Sequence, residues 1–371
     1  MAAQPSLCNS PPPMESQGKK SADPRPPSNY TDLISTLPLE EGWAPICTRK
    51  YQGFWIPQRV LPGIMDMQQN FKARPDDLWV LSYPKSGTTW LKALTYAIMT
   101  RAQYPFDHHP LLRRNPHECV PFVDRTYSRG QASEIEAMPS PRILNTHLPY
   151  SLLPHTIKSL DCKVIYVCRD PKDVLVSRWY FNNGMRPQPV EPIPFTKAFE
   201  MFCEDNCPYG PICEHVLEYW EESQRRPEKV LFLKYEEMLE DPLRIVRRLA
   251  EFMGCPFSPE EEKEGVVEEV IKLCSFDNLK SLEVNKTGKL HPEFVLTKDS
   301  FFRKGEAGDW RNHMSPEMAR KLDRIPEQKL EGSGLTLHGV DVEAAATNGD
   351  VQAQVLSKLF VIFFLFFGCL E

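Results

Sequence analysis

The sequence of 371 residues carries no surplus of positive charge: 44 Lys and Arg stand against 50 Asp and Glu, a formal net charge of −6. That argues against a duplex-binding domain, which presents a basic face, and leaves room only for a local pocket for a small anion. The start of the chain holds no apolar leader, so secretion is not expected. No apolar run reaches the ~20 residues that a bilayer-spanning helix needs, and no internal repeat is present. The eleven cysteines are odd in number and scattered through apolar runs such as KVIYVC and VIKLC, so they read as small hydrophobes and not as a disulfide framework. Their densest group, Cys203, Cys207 and Cys213 with His215, lacks the spacing of zinc sites, and no metal is expected. A reducing, cytoplasmic setting follows.

Proline is abundant instead, at 35 of 371 residues, about 9% against a usual 5%. It concentrates near the start, where residues 1–40 read as a disordered Pro-rich arm. Residues 41–338 read as a single domain, with hydrophobic residues enough for a large core. Residues 339–371 form an atypical tail ending in LFVIFFLFFGCL (359–370). That run is too short to span a bilayer and is read as having no role, with a surface membrane anchor as the alternative. Within the domain, LWVLSY (78–83), RILNT (142–146), KVIYVC (163–168) and KVLFLK (229–234) have the length and composition of buried strands. Helical patterns follow them at 88–100, 151–160, 173–181 and 242–253, the last closed by Gly254. Alternating strands and helices predict an α/β fold, a parallel sheet flanked by helices. Ligands of such sheets bind beyond the carboxyl ends of the strands.

Three motifs lie at those ends. The first strand runs into YPKSGTTW (83–90), a strand–loop–helix turn. Unpaired N–H groups and the positive end of the helix dipole attract anions there. Lys85 adds a charge, Gly87 lets the backbone come close, and Thr88 and Thr89 add hydroxyls; an ordinary capped helix is the plain alternative. The loop is not a Walker A sequence, since no Gly-Lys pair is present. The third strand ends in CRDP, so Arg169 offers a planar fork to a second anionic group. The second ends in NTHLP, which puts His147 at the same edge, where a neutral imidazole could take a proton from a hydroxyl. The other histidines read as structural.

Together, YPKSGTTW, NTHLP, CRDPKDVLVSRWYF, FLKYEEMLEDP and FFRKGEAGDW resemble the cytosolic sulfotransferase family in order and approximate spacing. YQGFW and HPLLRRNPHECVPF are similar to its plant, flavonol-sulfotransferase-like branch, which points to plant secondary metabolism. The resemblance covers about residues 45–337. It implies a P-loop-like nucleotide-binding topology and a donor, 3′-phosphoadenosine 5′-phosphosulfate (PAPS), with no metal. By matching position, Lys85, Ser86, Gly87, Thr88, Thr89 and Trp90 would form the phosphosulfate loop, with Trp90 stacked on adenine. Lys85 would also neutralise the leaving oxygen. Arg169 and Ser177 would hold the 3′-phosphate, with Arg303, Lys304 and Gly305 closing over it. Tyr235, Phe276 and Phe302 would line the adenine pocket, and His147 would be the general base. Because sulfuryl transfer is loose and in-line, positioning and electrostatics would carry the rate.

The chain departs from the family at Asn145, where many animal members have lysine, and at Cys274, where threonine is frequent. The family's dimer motif is degenerate in RNHMSPEMAR (311–320), so dimerisation is not implied. Phe54, Trp55, Phe122 and Phe181 are candidates for an aromatic pocket around a small, mostly apolar hydroxyl acceptor such as a flavonoid, steroid or hydroxy acid. The alternatives are a module that binds PAPS or its desulfated product (PAP) without catalysis, and an ATP-dependent P-loop kinase.

Overall fold

Among the described residues, seven strands form two sheets. A computed structural model describes residues 30–186, 190–290 and 297–337; the tail at 339–371 lies outside them. Within the stretch read as a disordered arm, the structure shows a helix at Thr31–Thr36 and strand β1, Leu39–Glu40. Apolar anchoring explains the correction: Ile34 is buried, and β1 pairs antiparallel with β2, Thr48–Tyr51. Strand β3, Phe54–Pro57, completes this small sheet. The β2–β3 hairpin turns on Gln52 and Gly53, both with positive φ (47° and 93°), the backbone pattern that suits the twist of paired strands.

The main sheet contains β4 (Leu78–Ser82), β5 (Ile143–Thr146), β6 (Lys163–Cys168) and β7 (Val230–Lys234), all parallel, in the order β5-β4-β6-β7. Their side chains alternate between two cores, as a period of two requires. Trp79, Leu81, Leu144, Tyr166 and Phe232 enter one, while Leu78, Val80, Ile143, Ile165 and Leu231 enter the other. Burial on both faces is why these strands read as continuous apolar runs.

Helices cover both faces. α1 (Thr88–Thr100), α5 (Pro242–Met253) and α6 (Val266–Cys274) pack on the Leu78 side, whereas α2 (Val123–Ser128), α3 (Pro171–Gly184), α4 (Ile212–Arg225) and α7 (Pro316–Lys329) pack on the Trp79 side. α3 begins earlier than its apolar pattern predicts. Pro171 takes the first helical position, and the Asp170 carboxylate caps it by accepting from the Lys172 N–H at 2.8 Å, an arrangement that stabilises helix starts. The helix expected at 151–160 is broken into a 3₁₀ turn, Tyr150–Leu152, and a short helix, His155–Ser159. Pro154 causes the break, because the residue before a proline is driven out of the helical region; Leu153 is extended. Cys203, Cys207 and Cys213 are free thiols, but Cys47 is disulfide-bonded, which its position in the sequence does not signal.

Candidate active site

The chain passes from β4 to β5 on one side and then returns to β6 on the other. The strand order therefore reverses between β4 and β6, and such a switch point opens a crevice at the carboxyl ends. A cavity of about 800 Å³ lies there, reached by the loop after β4, by Arg169 after β6 and by residues 301–305. Small-molecule sites commonly measure ~300–1,000 Å³.

Two residues of the β4–α1 loop have left-handed backbone, Lys85 at φ 77° and Gly87 at φ 103°. Gly87 has a second constraint, since a Cβ there would stand 2.7 Å from the Tyr235 ring. For Lys85 the conformation is strained, at a cost of ~1–3 kcal/mol typical of functional loops. Thr88, Thr89 and Trp90 open α1 and line the cavity; the first N–H groups of a helix lack intrahelical partners. The Lys85 ammonium stands 4.0 Å from the centroid of the Phe181 ring. Burial and the charges of Arg178, Arg303 and Arg169 bring it down to about 7.

At the end of β5, His147 is buried with Nδ1 2.8 Å from the Ser82 carbonyl oxygen. A carbonyl can only accept, so Nδ1 carries the proton and Nε2 keeps its lone pair. Burial holds this imidazole well below its ordinary pKa. The Ser82 hydrogen bond opposes that shift, and the charges of Arg125, Lys92 and Arg178 add to it. The ring packs between Phe122, 5.1 Å away, and Tyr209, 5.5 Å away, centroid to centroid. Behind Phe122, the ammonium of Lys92 lies 3.5 Å from the ring centroid and donates to the Val120 carbonyl at 2.9 Å.

The third cluster is cationic but braced by carboxylates. Arg169 lies 3.4 Å from Asp173, which also accepts from the Gly308 and Trp310 N–H groups at 2.7 and 3.0 Å. Arg303 and Lys304 each reach Asp309 at 2.6 Å. Burial alone would raise the Asp309 carboxyl, but the hydrogen bonds from Lys304, Asn312 and Arg303 hold it well below the usual range. Arg169 also stands over the Tyr235 ring at 4.5 Å, and Tyr235 meets Trp90 edge-on at 5.8 Å.

Residues 75–334 match the sulfotransferase domain family. The chain belongs to the sulfotransferase family. It is an enzyme, a PAPS-dependent sulfotransferase. Among its relatives, cytosolic sulfotransferase 17 of Arabidopsis thaliana is 44% identical over 82% of this chain and 89% of its own. The flavonol 4′-sulfotransferase of Flaveria chlorifolia is 46% identical over 78% and 89%. An Arabidopsis thaliana sulphotransferase structure superposes with a TM-score of 0.66 at 38% identity, covering 83% of this chain and 94% of that one. A mouse sulfotransferase solved with PAP gives 0.59 at 28%, covering 77% and 96%.

This sulfotransferase brings most of its sequence-predicted site residues to one cavity. Lys85, Gly87, Thr88, Thr89, Trp90, Arg169, Ser177, Tyr235, Phe276, Phe302, Arg303, Lys304 and Gly305 line it, as do His147, Phe122 and Phe181. Three expected residues do not. Ser86 is buried beside it, its hydroxyl without a partner. Phe54 points into the core against His215, with ring centroids 6.3 Å apart, and Trp55, one residue on, takes the opposite face of β3 under Lys50. The alternation of a strand separates these two from the cavity. Asn145 does not line the cavity either: it donates to the Val80 carbonyl within the sheet. Cys274 does line it, with burial pushing its thiol far up.

Several cavity residues escaped the sequence reading. His117, read as structural, lines the cavity with Nε2 3.0 Å from the Thr89 hydroxyl and Nδ1 3.2 Å from Lys92. Arg125, Tyr209 and Arg178 line it too. The helical period held a signal for Arg178, because Phe181 on α3 and Met185, the residue that ends it, follow on the same face at i+3 and i+7. Among the described residues, no group of three His, Cys, Asp or Glu could hold a metal ion, and no helix is long and apolar enough to cross a membrane.

Proposed function

We propose that this enzyme moves the sulfuryl group of PAPS to a hydroxyl of a small, largely apolar acceptor, with His147 as general base and Lys85 stabilising the leaving group. The observation that carries the reading is the His147 tautomer. Its Nδ1–H is committed to the Ser82 carbonyl, so Nε2 is a proton acceptor on the same cavity as Lys85. An imidazole kept neutral at pH 7 can take the acceptor's proton as its oxygen attacks. Lys85 and the first N–H groups of α1 would meet the charge that gathers on the leaving oxygen, and fixed donors of this kind need no reorganisation during the reaction.

Arg169, Ser177, Arg303, Lys304 and Gly305 would hold the 3′-phosphate, and Trp90, Tyr235, Phe276 and Phe302 the adenine. The fit is supported by unsatisfied donors in this region, the buried Nε atoms of Arg169 and Arg303 and the Ser86 hydroxyl. Phe122 and Phe181 would contact the acceptor. On this reading one domain reaches to about residue 338 and works in the cytoplasm, as the relatives named cytosolic suggest. The test is transfer of ³⁵S from labelled PAPS to a panel of phenolic, steroidal and hydroxy-acid acceptors. Product is expected with the unaltered chain, and His147→Ala should turn over ~10²–10⁴ times more slowly. An unchanged rate in that variant would remove His147 from the role.

A further inference from the structure

Arg178 is a cation inside the cavity with no carboxylate to rest on. It follows Ser177 on α3, lines the cavity and is 3% exposed. One Nη donates to the Pro208 carbonyl at 2.6 Å, while Nε is buried without a partner. Among the described residues no Asp or Glu forms an ion pair with it, in contrast to Arg169 on Asp173 and Arg303 on Asp309. The Tyr83 hydroxyl and the Cys207 thiol, both pushed up by burial, also lie against it and bring no carboxylate charge. A buried guanidinium with only such partners is costly unless an anion joins it.

Its place in the cavity narrows what that anion is. Arg178 shares the cavity with Lys85, His147 and Tyr209. Its charge is felt by all three, lowering Lys85 and His147. Around it the lining is apolar, with Ile46, Phe181 and Met185. Arg59, Arg125 and Arg129 line the cavity as well, and the described lining contains no Asp or Glu. On the reading above, the anionic groups of the donor are already met by Lys85, Arg169, Arg303 and Lys304. Arg178 is in excess of them, beside the base, where the acceptor must lie.

We propose that Arg178 binds an anionic group of the acceptor, so that the substrate class is a hydroxylated, largely apolar molecule carrying a carboxylate or a sulfate ester. This rests on the PAPS-dependent reading of the same cavity. A planar guanidinium suits both groups, since each offers paired oxygens to its fork. The acceptor's charge would orient its far end and bring its hydroxyl toward His147.

The experiment uses the full chain, labelled PAPS and acceptors matched except in charge: ω-hydroxydodecanoate and its methyl ester, p-hydroxyphenylacetate and its methyl ester, hydroquinone monosulfate and hydroquinone monomethyl ether. In at least one pair the anionic member should have the higher kcat/KM, by roughly 10- to 100-fold, the range of a charged hydrogen-bonded contact. Preference in the carboxylate pairs alone, or in the sulfate pair alone, identifies the group. Arg178→Met and Arg178→Gln should bring that ratio close to one, chiefly through the acceptor KM. The glutamine can still donate to Pro208, which keeps the local fold testable. Equal or better turnover of the neutral members by the unaltered chain would overturn the proposal without any variant being needed. So would an equal loss on both members of a pair in the variants, which would assign Arg178 to the donor's sulfuryl oxygens. Failure of the underlying reading looks different: no label would reach any acceptor, charged or neutral, and calorimetry would detect no binding of PAP.

Discussion

Arg169, Arg303 and Lys304 each rest on a carboxylate of the fold, Asp173 or Asp309, whereas Lys85 and Arg178 rest on an aromatic ring and a backbone carbonyl. Both groups face one cavity. A cation with its own carboxylate is tolerable before any ligand arrives, and its direction is fixed. It can position an anion, but the carboxylate behind it tempers the attraction. A cation without one is held at high energy until an anion reaches it. Such a group gives most where charge appears late, which is where catalysis gains from it. On the proposed function, the braced region would hold the donor and the unbraced region would serve the reacting end.

The sharpest way to break this contrast is to remove Lys85. Lys85→Ala should lower turnover by ~10²–10⁴, the range for a lost charge stabiliser or proton carrier, with a smaller change in PAP affinity. Removing the brace should do the reverse. Asp309→Asn takes the carboxylate from under Arg303 and Lys304, so PAP affinity by calorimetry should fall by roughly 10-fold, as for one or two charged hydrogen bonds. Turnover at saturating PAPS should fall less than affinity. If the two variants gave the same pattern, braced and unbraced cations would not differ in role.

The braced region was the more legible in the sequence. Arg169 and Ser177 sit in the motif that follows β6, and a parallel sheet gathers strand ends at one edge, whereas Arg303 and Lys304 follow no strand and were legible only through the FFRKGEAGDW resemblance. In the unbraced region Lys85 is announced by the end of β4, but other side chains there are announced by no strand end. Arg178 belongs to a helix face, and its neighbour Tyr209 comes from a loop carrying its own positive φ of 70°. His117 takes its place from Thr89 and Lys92, which are a turn apart on α1. The small antiparallel sheet was missed for a related reason: strands of two to four residues offer too few alternations to read.

Protonation sharpens the comparison further. Lys85 stands at about 7, through burial and then the charges of Arg178, Arg303 and Arg169. An anion bound beside it must raise that value. The complex then holds the proton that the free protein releases, so PAP affinity is full below pH 7 and declines as pH rises through 7, by up to about tenfold per unit. Calorimetry at pH 8 in buffers of different ionisation enthalpy should detect uptake approaching one proton. At that pH the phosphates, with a second pKa of ~6, are already ionised. The uptake should vanish in Lys85→Met. Affinity that is flat from pH 7 to 9 in the unaltered chain would mean that Lys85 is already charged without its ligand.

The smallest effect is expected where the aromatic reading was redrawn. Trp55 lies on the face of β3 away from Phe54, its ring 5.4 Å from the Lys50 ammonium and its N–H bonded to the Gly210 carbonyl at 2.8 Å. Trp55→Phe keeps the backbone bond and a ring for Lys50, so stability should change by less than ~1 kcal/mol, the scale of an exposed cation–π contact. The acceptor KM should stay within about twofold, well inside a factor that one lost contact would give. Phe122→Leu is the counterpart, because that ring touches the cavity and packs 5.1 Å from His147. It should move acceptor kcat/KM by roughly 10-fold, as a trimmed apolar contact does. Equal shifts in the two variants would carry the acceptor pocket across β3 to the small sheet, and the reacting end would then be bounded by strand residues instead of by α3.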